Sequence, residues 1–335
     1  MGLRVGDLPS GPRNTLADVA GVTVGHRTLA TGALRTGVTA IMPAPGNLFR
    51  EKVPAACHVI NGFGKSVGLM QVEELGTLET PILLSNTFAV GTCANALIRR
   101  AIAENPEIGR RTSTVNPVVC ECNDGYLSDI QAMAVSEADA LAALDAAEVS
   151  FARGSVGAGT GMSAFGFKGG IGTASRALSF GGAAYHVGGL VLANFGRAGD
   201  LVLPDGRRVA PPSAAAAPER GSVIVVIGTD IPLDHRQLTR VIRRSGVGLA
   251  RLGAFWGHGS GDLALGFTTA ARIRHDGGGD FQDLRMLAER HIDRLFQAVA
   301  EVTQEAVLDA LLTADSMTGR DGHERPSLRE VLANA

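Results

Sequence analysis

The pair Gly221-Ser222 stands directly before the apolar run Val223 to Ile227. A serine that becomes the first residue of a chain carries its own base. A free α-amine has a reference pKa of about 7.7–8.0 and can accept the hydroxyl proton directly or through water. An N→O acyl shift frees such an amine: the Ser222 hydroxyl attacks the Gly221 carbonyl, the peptide C–N bond breaks, and water cleaves the resulting ester. Glycine before the nucleophile suits this step, because it tolerates strained dihedrals and leaves the carbonyl uncrowded. The Ala- and Pro-rich segment 211–220 reads as a linker able to move aside after cleavage. The competing reading of the junction is an ordinary turn ahead of a strand.

The other residues able to do chemistry are less organised. The eight histidines, His26, His58, His186, His235, His258, His275, His291 and His323, are scattered along the chain. None sits in a nucleophile elbow, since Gly259-Ser260-Gly261 does not fit G-x-S-x-G. Cys120 and Cys122 point the same way if they lie on a strand. These two, with Cys57 and Cys93, are expected to be reduced thiols. The spacing offers no CxxC pair and no histidine cluster, so neither a metal nor a cofactor is expected. The Gly-rich stretch 154–178 contains "GAGTGM", which lacks the dinucleotide spacing, and no P-loop lysine follows. It reads as turns and close strand packing.

Positioning these residues falls to an alternation of strands and helices. "VAGVTVGHRTL" and "TGVTAIMPAP" read as strands bounded by Gly and Pro. "ACHVINGFGKSVGL" is a strand, a turn and a helix start. "PILLSNTFAVGT" ends a strand at Ser85-Asn86-Thr87, and a helix from about Gly91 stops at Asn105-Pro106. "VNPVVCECNDGYL" is a strand closed by an Asn-Asp-Gly turn, and Ser136 caps an amphipathic helix. "HVGGLVLANFG" and "GDLVLPDGRRVA" read as antiparallel strands with an Asp205-Gly206 turn. After Ser222 come a strand, one helix over 232–253, further strands from Trp256, and a long helix from about Phe281 to Ala314. The pattern predicts a mixed α/β fold with antiparallel or mixed sheets. The chain from Ser222 onward is no separate domain, because its bare apolar strand needs a sheet to join.

Composition narrows the function. The 335 residues are 45% apolar, enough for a sizeable core, and 44 glycines point to tight turns and close backbone approach. The net charge is −2, from 31 Lys+Arg against 33 Asp+Glu, and aromatics are 4%. Neither a basic stripe nor a stacking platform for nucleic acid is present, and no polybasic patch serves a membrane surface. The chain start has no charged region followed by an apolar one, and no apolar run reaches bilayer length. A cytoplasmic protein without nucleic-acid or membrane partners is expected.

Six segments, in order along nearly the whole chain, carry a resemblance: "RTGVTAIMP", "NGFGKSVGLMQVEELGTLETPILLSNTFAVGT", "TVNPVVCECNDGYLSDI", "GSVGAGTGMSAFGFKGGIGTASR", "GSVIVVIGTDIPLDHRQLTRVIRR" and "GSGDLALGFTTAARIRHD". Together with "MTGRDGH" they resemble the DmpA-type L-aminopeptidase/D-esterase and β-peptidyl aminopeptidase family. The resemblance implies a four-layer αββα sandwich with mixed sheets, of the ornithine-acetyltransferase type, and a self-processing hydrolase of the N-terminal-nucleophile kind. It implies one domain, 1–335, cut into 1–221 and 222–335, with Ser222 the nucleophile of both self-cleavage and turnover. It makes Ser260 a hydroxyl relay and Asp262 the carboxylate that orients it, where some relatives carry Glu. Asn194 becomes the oxyanion donor, Tyr126 a hydrogen-bonding group of the site, and Glu121 the anchor for a substrate's free amine. Relatives often have Asn or Ser beside the nucleophile, whereas Arg220 and Val223 flank the pair here. The implied reaction removes an N-terminal residue from short peptides, amides or esters through an acyl-Ser222 intermediate, in a homotetramer. The alternatives are an amide-oligomer hydrolase with the same nucleophile and an uncleaved, non-catalytic scaffold protein.

Overall fold

The computed structural model describes residues 4–212, 221–277 and 279–334. Most of the 211–220 segment, Arg220 included, lies outside them. The principal elements in chain order are β1 (Thr23–Leu29), β2 (Thr36–Met42), β3 (Glu51–Gly62), β4 (Ile82–Ser85), α1 (Val90–Glu104), β5 (Val118–Glu121), α2 (Glu137–Asp145), β6 (Gly170–Phe180), β7 (Ala183–Asn194), β8 (Ser222–Thr229), α3 (His235–Ile242), α4 (Ser245–Arg251), β9 (Gly261–Thr268) and α5 (Asp293–Thr313). A small sheet runs β1-β2-β4-β5. A large one runs β3-β9-β8-β7-β6, with the short segments Thr77–Leu78 and Ile273–Arg274 paired to β3.

The two-residue period of the strands sorts the core into layers. In β8, Ile224 and Val226 meet Ile41, Leu84 and Cys120 of the small sheet. Val223, Val225 and Ile227 face the opposite way, onto Leu238, Leu249 and Val302 of the helices α3, α4 and α5. The outer face of the small sheet, with Val38, Ala40, Leu83 and Val119, is covered by α1 and α2 through Cys93, Leu97, Ala140 and Ala143. The order is helix, sheet, sheet, helix, the αββα sandwich expected. β8 lies inside the large sheet with all its residues buried. Each of its large side chains contributes about 1.5–3 kcal/mol by burial, so its first residue is anchored.

The Gly-rich stretch supplies close packing rather than a phosphate cradle. A Cβ on Gly172 would lie 1.9 Å from the Ala306 carbonyl, so α5 can seat on β6 only over glycine. Ser136 caps α2 in a capping box: Asp139 N–H donates to Ser136 Oγ at 3.2 Å, and Ser136 N–H to Asp139 Oδ2 at 3.1 Å.

Two helix expectations are corrected. The helix expected over 232–253 is two, broken between Ile242 and Ser245. The last long helix starts at Asp293, not near Phe281, apart from a single turn at Glu289–His291. Leu287 N–H donates to the Pro232 carbonyl at 2.9 Å, and the Leu287 carbonyl accepts from Gln237 Nε2 at 2.7 Å. Those backbone groups serve the neighbouring loop and α3, and Phe281 projects 95% exposed with no core to bury it.

Candidate active site

Ser222 opens β8 between two partner strands. It stands opposite Asn194, the last residue of antiparallel β7, and opposite Gly261, the first of parallel β9. The Ser222 hydroxyl donates to the Gly221 carbonyl at 2.7 Å. Gly261 N–H reaches both members of the junction, the Gly221 carbonyl at 3.1 Å and Ser222 Oγ at 3.3 Å. A Cβ on Gly221 would lie 2.1 Å from the Asn194 carbonyl. Close approach of a neighbouring strand therefore demands glycine here.

Asp262 and Ser260 lie beneath this junction, both buried. Asp262 Oδ1 accepts from Ser260 Oγ at 2.7 Å and from Val223 N–H at 3.1 Å. The carboxylate thus holds the strand one residue past the nucleophile, and the Ser260 hydroxyl is turned to Asp262 rather than to Ser222. Asn194 is fixed at both ends of its amide. Its Oδ1 accepts from Ser163 N–H at 2.9 Å, and its Nδ2 donates to the Asn123 carbonyl at 2.9 Å. One N–H of Nδ2 remains beyond that bond. Cys122 donates its S–H to the Ser222 carbonyl at 3.3 Å.

Ser222, Gly221 and Asn194 open onto a cavity of about 590 Å³ shared with Glu121, Tyr126, Asn123, Lys65 and Arg325, a size that suits a small ligand. No histidine or cysteine lines it among the described residues. Glu121 is buried at the end of β5. Its Oε1 accepts from Lys65 N–H at 2.8 Å, and its Oε2 accepts from the Thr87 hydroxyl. Tyr126 is 39% exposed, and its ring lies between His323, stacked at 4.6 Å, and Arg325, whose Cζ is 3.6 Å from the ring centre.

Burial governs the ionisation nearby. It pushes the Cys57, Cys93 and Cys120 thiols up to about 12, and Cys122 well above the ordinary thiol range. These sulfurs are thiols, not nucleophilic thiolates. Asp124, next to Asn123, is pushed by burial up to about 7 against the pull of Thr36 and Asn86, with Glu121 adding to the rise. Among the described residues no three His, Cys, Asp or Glu side chains converge as a metal set. No helix among them is long and apolar enough to cross a membrane.

The structure thus brings Ser222, Gly221, Asn194, Glu121 and Tyr126 around one cavity and sets Ser260 and Asp262 under its floor. Sequence reasoning missed Asn123, Lys65, Arg325 and the Gly261 N–H. A backbone donor has no sequence signature, and Arg325 reaches the cavity from 199 residues beyond Tyr126 only through the fold.

The sandwich and this site define a peptide-bond hydrolase with the N-terminal-nucleophile hydrolase fold. The model of peptidase family S58 matches residues 14–325, and the chain belongs to that family. A curated relative, the beta-peptidyl aminopeptidase BapA of Sphingosinicella microcystinivorans, is 35% identical over 93% of this chain and 85% of its own. The PH0078 protein of Pyrococcus horikoshii OT3 superposes with a TM-score of 0.92 at 45% identity, over 99% of this chain and 96% of that one. The L-aminopeptidase D-Ala-esterase/amidase of Ochrobactrum anthropi, a prototype for the serine aminopeptidases and a variant of the Ntn hydrolase fold, superposes with 0.89 at 34% identity, over 99% and 97%.

Proposed function

We propose that this chain is a self-processing serine aminopeptidase, cut at Gly221-Ser222 into 1–221 and 222–335, that releases the N-terminal residue of short peptides, amides or esters. The observation that carries the reading is the placement of the Ser222 hydroxyl against the Gly221 carbonyl, with the Gly261 N–H on that same carbonyl. In self-cleavage Ser222 Oγ adds to the Gly221 carbonyl carbon while Gly261 N–H takes up charge on its oxygen. The C–N bond breaks, the nitrogen leaves as the Ser222 α-amine, and water splits the ester, leaving a Gly221 carboxylate.

In turnover the new amine accepts the Ser222 proton, working near its own pKa in a cavity with no histidine among its described lining residues. Oγ attacks the substrate carbonyl, and the second N–H of Asn194 Nδ2 and the Gly261 N–H receive the oxyanion. The leaving amine departs with the proton, and water frees the acyl group from Ser222. Asp262 and Ser260 position β8 and β9, and Glu121 receives the substrate's ammonium. The same reading includes the homotetramer and the cytoplasm, which rest on the family resemblance and which size-exclusion chromatography and cell fractionation check.

Gel electrophoresis with N-terminal sequencing tests the reading. Wild-type protein is expected as two fragments, the smaller beginning at Ser222, and Ser222→Ala as one intact chain without turnover. An intact, inactive wild-type chain would overturn it.

A further inference from the structure

Resting on that aminopeptidase reading, we propose that Arg325 is a carboxylate-binding subsite of the active-site cavity, and that the preferred substrates are short peptides with a free C-terminal carboxylate. Arg325 shares the cavity wall with Ser222 and Glu121. Its guanidinium is half-buried and lies over the Tyr126 ring, with Cζ 3.6 Å from the ring centre, while His323 stacks on the ring at 4.6 Å. His323 Nδ1 also bonds the Tyr126 carbonyl at 2.7 Å. These contacts hold the Tyr126 ring beneath the guanidinium.

Among the described residues no carboxylate pairs with this charge. Nη1 donates to the Glu324 carbonyl at 3.1 Å, and Nε is buried without a hydrogen-bond partner. The Glu324 carboxylate is turned away, accepting from Thr318 Oγ1 at 3.2 Å. Burial lowers the affinity of Arg325 for its proton, and only Tyr126 opposes that shift; no carboxylate does. A partly desolvated cation without a counter-ion is costly, and a guanidinium fork matches a carboxylate. The other cation of the wall is differently placed. Lys65 Nζ donates to the Phe63 carbonyl at 2.7 Å and lies over the Phe63 ring, and its backbone N–H is spent on Glu121.

The order of groups along the chain supplies direction. Glu121 ends β5, Asn123 follows with its carbonyl on Asn194, and Tyr126 comes next, carrying Arg325. The acid, the Asn194–Ser222 centre and the cation thus line one cavity. A short zwitterionic peptide presents the complementary pair: an ammonium to Glu121, the scissile carbonyl to Ser222, and a carboxylate to Arg325. C-terminal amides and esters lack the last contact.

The test compares Ala-Ala with Ala-Ala amide, and the same pair headed by β-alanine, on the processed wild-type enzyme and on Arg325→Met and Arg325→Lys. The wild type is expected to show a KM about tenfold lower for the acid than for the amide, as a charge-assisted hydrogen bond provides. The preference lies in KM because the carboxylate contact is the same in ground and transition states. It weakens as salt rises. Arg325→Met brings the ratio to about one, and Arg325→Lys, which keeps the charge but not the fork, falls between. A wild-type ratio near one, as expected if the Gly221 carboxylate itself filled the subsite, overturns the proposal, as does a ratio that survives Arg325→Met. If Arg325→Met does not fold, the wild type and Arg325→Lys still decide. If neither peptide is turned over, the aminopeptidase reading has failed, and calorimetric titration with the unreacted acid and amide still reads the preference.

Discussion

Replacing Gly221 by alanine removes no reacting group and adds a single methyl at the junction. The added Cβ would lie 2.1 Å from the Asn194 carbonyl and 3.0 Å from Phe195 Cα, whereas ordinary contact begins at 3.4 Å. The junction and β7 must part by about 1.3 Å, the difference between the first and last of these distances. That movement carries the Gly221 carbonyl away from the Gly261 N–H at 3.1 Å and from the Ser222 hydroxyl at 2.7 Å. A misplacement of about 1 Å in reacting groups costs about a hundredfold, or about 2.7 kcal/mol of barrier. Self-cleavage of Gly221→Ala is therefore expected to be slower by about a hundredfold or more. Overpacking costs about 1–3 kcal/mol of stability, less than the 5–15 kcal/mol typical of a folded domain, so the chain still folds. The assay follows the intact chain and the fragment beginning at Ser222 over time on gels, with a thermal melt to confirm the fold. A folded Gly221→Ala chain cut at the wild-type rate would refute the steric argument and, with it, the precise seating of the junction.

Three further perturbations probe the same cavity. Asn194→Ala removes a preorganised donor, and kcat is expected to fall about 10²–10³-fold with KM nearly constant; a change confined to KM would remove Asn194 from the oxyanion site. Glu121→Gln should raise KM for free-amine substrates about tenfold or more while N-blocked substrates are unaffected, and equal effects on both would argue against an ammonium anchor. Asp124→Asn should flatten the pH dependence of stability. With the folded carboxyl raised to about 7 from 3.8, its stabilising contribution is present below pH 3.8 and is lost as pH rises through about 7. The variant is thus expected to melt higher than wild type at pH 8, and an unchanged slope between pH 4 and 7 would contradict the buried, proton-retaining carboxyl.

Local signals in the chain were read well where local physics settles them. The Ser136 cap, the strand beginning at Ser222, the β5 strand through Cys120 with Cys122 just past its end in the same core cluster, and the helix stop at Asn105 all rest on short-range propensity and period. The long-helix expectation from Phe281 failed because tertiary hydrogen bonds to Pro232 and Gln237 claim the backbone at Leu287. Within the site, Gly221-Ser222 was visible as a junction. The steric need for glycine there was not, because it comes from the Asn194 carbonyl 27 residues away in sequence.

What the sequence alone determined is the set of parts: a hydroxyl at the head of an apolar strand, a carboxylate two residues after Ser260, an Asn closing another strand, and the layer preferences of alternating side chains. What the tertiary structure decided is which parts meet. The antiparallel register of β7 and the parallel register of β9 set Asn194 and Gly261 on either side of Ser222. The passage of the chain from β5 to Tyr126, with the C-terminal segment returning to it, lines one cavity with Glu121 and Arg325. The physical reason is that side-chain period and capping act over a few residues. Register, close backbone approach and the pairing of distant charges arise only when the two sheets pack and the helices close over them.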